Sequence, residues 1–142
     1  MKTFKQLIEA IAQYDPNHPD PAHHEAEFHR RINQHYPRGA IVYHESPGHV
    51  AASTMKHGIV GSYGIFGTIG QPSNFVTGPK TTVTFRVPPV DNKPGLFVPD
   101  MRYDPENPHK DLLEQHPNLD GADVCLNVDR VPPSRLGIVR EE

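Results

Sequence analysis

The stretch AIVYHESPGHVAASTMKHGIVGSYGIFGTIG, residues 40–70, carries the organisation of the chain. Its opening, AIVYHES, is rich in β-branched and aromatic residues and reads as a strand. HVAASTMKHG then reads as a helix closed by Gly58, because glycine takes up the left-handed backbone that ends a helix without steric cost. YGIFGTIG follows as a second extended segment. Strand, helix and strand are packed into about thirty residues, which sets a mixed α and β class.

Toward the N-terminus, Phe4, Leu7, Ile8 and Ile11 stand at helical spacing, with Thr3 as cap and Asp15-Pro16 as stop. They predict a short amphipathic helix over residues 3–14. NHPDPAHHEAEFHRRINQHYPRG, residues 17–39, predicts a second helix from about Ala22 to Tyr36. Its apolar positions are few, Phe28 and Ile32, so it is expected on the surface. Toward the C-terminus, TTVTFRVP (81–88) alternates like a half-buried strand, with Val83, Phe85 and Val87 on one face. ADVCLNVDRV (122–131) gives another strand, and PPSRLGIV (132–139) a turn into a short last one. Residues 91–121 are rich in Pro and Asp, hold one helical turn at Lys110–Gln115, and read as a long surface excursion. The expected fold is α+β, a small, mainly antiparallel, split sheet (residues 39–142) with an N-terminal helical extension (residues 1–38).

The 142 residues suffice for one hydrophobic core. A formal charge of −3 removes the broad attraction to phosphate backbones on which general nucleic-acid binding depends. No apolar run approaches the ~20 residues that span a bilayer, and the start MKTFKQLIEAIAQYD lacks the continuous apolar core of a secretion signal. With Cys125 as the single cysteine, no internal disulfide can form. A reducing, cytoplasmic setting is the expectation.

Histidine is abundant, and His23, His24, His29 and His35 cluster with Glu25 and Glu27. Two histidines on one helix face bind zinc at offsets of three or four, whereas the offsets here are one, five or six, so no metal is expected. Cys125 falls inside a strand, where a free cysteine acts as a small apolar group. Ser46, Ser53 and Ser73 lack the G-x-S-x-G elbow that exposes a hydrolase nucleophile. The glycines at 58, 61, 64, 67 and 70 match neither a P-loop nor a dinucleotide fingerprint. They permit close backbone approach to a ligand, or equally a tight hairpin.

The order of pieces in residues 40–70, a strand ending Tyr43-His44, a polar turn, an Ala/Ser helix reaching His57-Gly58-Ile59, then a glycine-spaced strand, resembles the N-terminal half of ADP-ribosyltransferase-like domains. TTVTFRVP looks like a central strand of that fold, and CLNVDRVPPSRLGIV like its closing strand, proline turn and last strand, so the resemblance covers about residues 40–140. It implies NAD as co-substrate. It gives His44 the task of hydrogen-bonding the ribose and carboxamide region, work an imidazole performs by donating and accepting at neutral pH. It puts Ser46 at the family's Ser/Thr position, Tyr63 or Phe66 against the nicotinamide ring, and Thr68 and Ser73 among the hydroxyls near the cofactor. It also implies a late-strand carboxylate that stabilises the oxocarbenium-like transition state. Asp123 and Asp129, which flank the relevant strand, are the candidates for this catalytic carboxylate; Glu141 and Glu142 stand at the terminus, and none of the four is a clean match to the family's glutamate.

Two functions follow from different classes. One is an NAD-dependent mono-ADP-ribosyltransferase acting on an unknown acceptor, as in toxin or anti-defence proteins. The other is a non-catalytic interaction module, a phage or mobile-element accessory protein whose histidine-rich residues 17–38 dock a protein partner. The second predicts that Phe28→Ala weakens partner binding and leaves stability nearly unchanged.

Overall fold

Asp20 starts the first helix: its side chain accepts the Ala22 N–H at 3.0 Å, and Pro21 takes the first helical position, where no N–H is needed. This helix, α1 (Pro21–His35), ends where the Tyr36 N–H bonds the Ile32 carbonyl. In the computed structural model, which describes residues 13–47, 54, 56–73, 76 and 78–141, the remaining elements follow in order. They are β1 (Ala40–Pro47), β2 (Ile59–Val60), β3 (Ile65–Ile69), β4 (Lys80–Val87), β5 (Phe97–Pro99), α2 (Pro108–Gln115), β6 (Asp123–Leu126), β7 (Arg130–Val131) and β8 (Leu136–Glu141). Single 3-10 turns, Pro89–Asp91 and Pro133–Arg135, precede β5 and β8.

Six strands form one antiparallel sheet in the order β5-β6-β3-β1-β4-β8, and β2 pairs with β7 in a small separate ribbon. The fold is therefore α+β with a mainly antiparallel sheet. β1 and β4 pair along their whole length, from Ala40 with Val87 to Pro47 with Lys80. The β1–β3 seam is far shorter, pairing Val42 with Ile69 and Tyr43 with Thr68. At that seam the backbones lie close: a Cβ on Gly67 would come within 2.3 Å of the Val42 side chain and 2.7 Å of the Tyr43 carbonyl oxygen.

Alternation places Ala40, Val42, Val83, Phe85, Val87, Ile65, Ile69, Val124 and Leu126 in one buried core with Phe28 and Ile32 of α1 and Leu112 and Leu113 of α2. The other face carries Tyr43, Glu45, Phe66, Thr68 and Asp123.

Two sequence expectations are corrected here. α1 does not lie on the surface, because it buries polar residues beside its few apolar ones. His24 accepts from the Tyr14 hydroxyl at 2.6 Å and donates to the His18 carbonyl at 2.7 Å. Glu27 is bonded by Arg30 and Arg31 at 2.6–2.7 Å. Burial opposes ionisation of Glu27, but these guanidinium bonds outweigh it and hold its carboxyl below the usual range. Residues 91–121 are likewise no surface excursion. They contribute β5, α2 and the buried Phe97, Tyr103, Leu112, Leu113 and Leu119. The helix expected over 3–14 lies outside the described residues except at its end. Of the one expected before Gly58, Thr54, Lys56 and His57 are described and helical, and the Gly58 N–H bonds the Thr54 carbonyl at 2.7 Å. No helix among the described residues is long and apolar enough to cross a membrane.

Candidate functional site

Where β3 parts from β1 beyond Tyr43, a cleft of about 660 Å³ opens. β1 supplies Tyr43, His44 and Glu45, and β3 supplies Phe66, Gly67 and Thr68. Ser73, the segment Asp100–Arg102 and Asp123 of β6 complete its walls. The volume falls in the range that takes a drug-sized ligand or cofactor.

Asp123 is held by groups from three directions. Its backbone pairs with Thr68, so both side chains emerge on one face, and the Thr68 hydroxyl donates to Asp123 Oδ1 at 2.8 Å. Arg102 Nη1 donates to Asp123 Oδ2 at 3.0 Å, and the Asp123 N–H bonds the Tyr103 hydroxyl at 2.9 Å. Burial keeps the Tyr103 phenol protonated, its pKa raised above 10. Arg102 also reaches Gln115 at 3.2 Å and lies over the Tyr103 ring. Two bonds leave a half-exposed guanidinium with donors to spare.

His44 sits at the point where the seam opens. Its Nδ1 lies 2.6 Å from the Phe66 carbonyl oxygen; a carbonyl only accepts, so Nδ1 carries the proton and Nε2 the lone pair. Burial pushes the His44 pKa down, against the opposing influence of the Phe66 carbonyl and the charge on Glu45, so the ring stays neutral at pH 7. A side chain here does the bridging that backbone pairing does one residue earlier. Glu45 binds the next wall: its carboxylate accepts from Ser73 at 3.1 Å, the Val76 N–H at 3.3 Å and Lys80 at 3.2 Å.

The residues singled out in the sequence separate into two groups. His44, Phe66, Thr68, Ser73 and Asp123 meet in this cleft. Ser46, Tyr63 and Asp129 are not among its lining residues: Ser46 pairs with Thr81 on β1, Tyr63 is 88% exposed between β2 and β3, and the Asp129 carbonyl accepts from Gly61 beside the β2–β7 ribbon. Cys125 is buried, and burial raises its thiol pKa. Tyr43, Glu45, Asp100, Met101 and Arg102 were not foreseen. Alternation puts Tyr43 and Glu45 on the face of Phe66, Thr68 and Asp123, whereas His44, paired with Val83, leaves β1 on the core side and reaches the cleft where β1 and β3 part. Asp100–Arg102 carried no local pattern, and reaches Asp123 by tertiary contact.

Comparison with protein-family models, with curated proteins and with solved structures gave no match.

Proposed function

We propose that the cleft binds NAD and that the chain is an ADP-ribosyltransferase-like protein, with Asp123 as the carboxylate that acts on the nicotinamide ribose. The observation carrying this reading is that His44, Phe66 and Thr68 line one cleft with Asp123, to which the Thr68 hydroxyl donates. These residues come from three strands, β1, β3 and β6, and the resemblance in the sequence gives each of them a part in the same chemistry. Phe66 offers an aromatic face for the nicotinamide ring. His44 Nε2 accepts from a ribose hydroxyl, and the guanidinium of Arg102 suits the diphosphate.

In the reaction, the C–N bond between ribose and nicotinamide breaks and its electron pair returns to the pyridine ring, which leaves neutral. Positive charge develops on the ribose, and the Asp123 carboxylate stabilises it. The acceptor nucleophile then bonds the anomeric carbon and loses its proton; with water as acceptor the product is free ADP-ribose. Thr68 and Arg102 fix the carboxylate beforehand, so that reorienting it adds no cost during bond cleavage.

The test is a calorimetric titration of NAD combined with an assay of released nicotinamide, on wild type, His44→Ala and Asp123→Asn. Asp123→Asn should keep binding and lose roughly 10²–10³-fold in release, as removal of a transition-state-stabilising group does. Full-rate release by Asp123→Asn would remove Asp123 from the chemistry. Absence of binding at millimolar NAD would favour the interaction-module reading, for which the exposed Met101 at the cleft mouth is the specific observation.

A further inference from the structure

On the helix side of the sheet, away from Tyr43 and Asp123, Glu25 and His29 of α1 meet His109 of α2. One donor atom from each lies within 4.8 Å of the others. Glu25 and His29 are four residues apart and so share a helix face. Glu25 Oε2 and His109 Nε2 are separated by 3.8 Å, too far for a hydrogen bond.

The tautomer of His29 is fixed by its neighbours. Asn92 Nδ2 donates to the His29 carbonyl at 3.1 Å and to Asn33 Oδ1 at 2.9 Å, so the Asn92 side-chain oxygen is the atom that faces His29 Nδ1. That oxygen can only accept; Nδ1 therefore carries the proton, and the lone pair is on Nε2. His29 Nε2 is buried without a hydrogen-bond partner, and so is His109 Nε2. Both residues are 8% exposed. Buried polar atoms are nearly always partnered, so two bare imidazole nitrogens converging beside a carboxylate need a reason.

We propose that Glu25, His29 and His109 bind a divalent transition-metal ion of the zinc class. Two imidazole nitrogens and one carboxylate oxygen are the donors such an ion takes, and three protein ligands leave a fourth position for water. Asn92 acts as the outer partner, bonding the distal ring nitrogen of His29 to orient the ring and raise its basicity. In a tetrahedral zinc site with bonds of 2.0–2.1 Å, donors stand about 3.3 Å apart; the observed spacing is wider, so the ion draws the side chains inward. The bound ion ties α1 to α2.

The experiment uses the full chain, freed of metal with chelator and titrated with Zn²⁺ by calorimetry and with Co²⁺ by visible absorption. Wild type should bind one ion, show the intense visible bands of four-coordinate cobalt, and melt at a temperature that rises with free Zn²⁺. Asn92→Ala should weaken affinity about 10–100-fold, as loss of an outer partner does, and His109→Gln by more. His35→Ala, on the exposed end of α1, should bind as wild type. His109→Cys guards against a misfolded glutamine variant, since it should restore binding and add a sulfur-to-cobalt charge-transfer band. Equal binding by wild type and His109→Gln, or a cobalt-loaded His109→Cys without that band, would overturn the proposal. Retained NAD binding in His109→Gln would separate this site from the cleft.

Discussion

Thr68 on β3 donates its hydroxyl to Asp123 on β6 across 2.8 Å, on the sheet face opposite the core that α1 and α2 pack against. Thr68 is buried, and Asp123 faces the cleft. Thr68→Val keeps the shape and removes the donor. It should cost about 1 kcal/mol of stability and, if Asp123 acts on the ribose, lower nicotinamide release while barely changing NAD affinity. Denaturant titration and single-turnover release measure the two effects separately; an unchanged release rate would show that Asp123 needs no fixing by Thr68.

Gly67→Ala should destabilise the protein by about 1–3 kcal/mol, the usual range for overpacking. The added methyl meets the Val42 side chain at 2.3 Å and the Tyr43 carbonyl at 2.7 Å. Because these contacts lie at the short β1–β3 seam, the variant should also widen the cleft mouth and weaken ligand binding. Wild-type stability in this variant would mean that the seam is soft.

Phe28→Ala tests the correction to α1. The ring is fully buried, with Phe97 at 6.0 Å, His109 at 5.3 Å and His29 at 5.2 Å between ring centres. Truncating a core phenylalanine costs about 3–5 kcal/mol, so a large fall in denaturation midpoint is expected where the sequence predicted nearly none. A midpoint within experimental error of wild type would return the helix to the surface.

The pH dependence follows from His44. Its folded pKa lies below the ordinary 6.5, so above pH 6.5 the ring is neutral in both states and its contribution to stability is complete. As pH falls below 6.5 the unfolded chain takes up a proton that the fold resists, and stability declines. His109, which burial and then its neighbours His29 and His24 push down to about 4, declines in the same sense in both proteins compared. His44→Asn retains a donor toward the Phe66 carbonyl but does not titrate, so its stability should fall less steeply on the acid side. Superimposable pH profiles would show that His44 is not held neutral.

The strands were legible because their side chains alternate: Val83, Phe85 and Val87 announced β4, and the glycine-spaced IFGTI announced β3. The burial of α1 is not legible from hydrophobicity, because much of what it buries is polar. His24, Glu27 and His29 are buried by virtue of particular partners, Tyr14, Arg30, Arg31 and Asn92, which stand elsewhere in the chain or on the next helical turn. In residues 91–121 the core residues Phe97, Tyr103, Leu112 and Leu119 are too widely spaced for a periodic signal, and prolines and aspartates dominate the composition between them. The Glu25–His29 spacing of four is visible in the sequence, but two donors on one helix do not make a site, and the third, His109, lies on another helix. Phe66, Thr68 and Asp123 came from the order of segments, whereas Arg102 became visible only through its bond to Asp123.

The strand order has a kinetic consequence. In the six-stranded sheet no pairing is a local hairpin; the partners nearest in sequence are Tyr43 with Thr68 and Pro99 with Val124, and β4 must wait for β8. Every ladder therefore closes a long loop before any bond rewards the closure, which places such a topology among slow folders, on the scale of milliseconds to seconds. Until β4 settles against it, β1 offers unpaired edges to other chains, so refolding yield should drop as protein concentration rises.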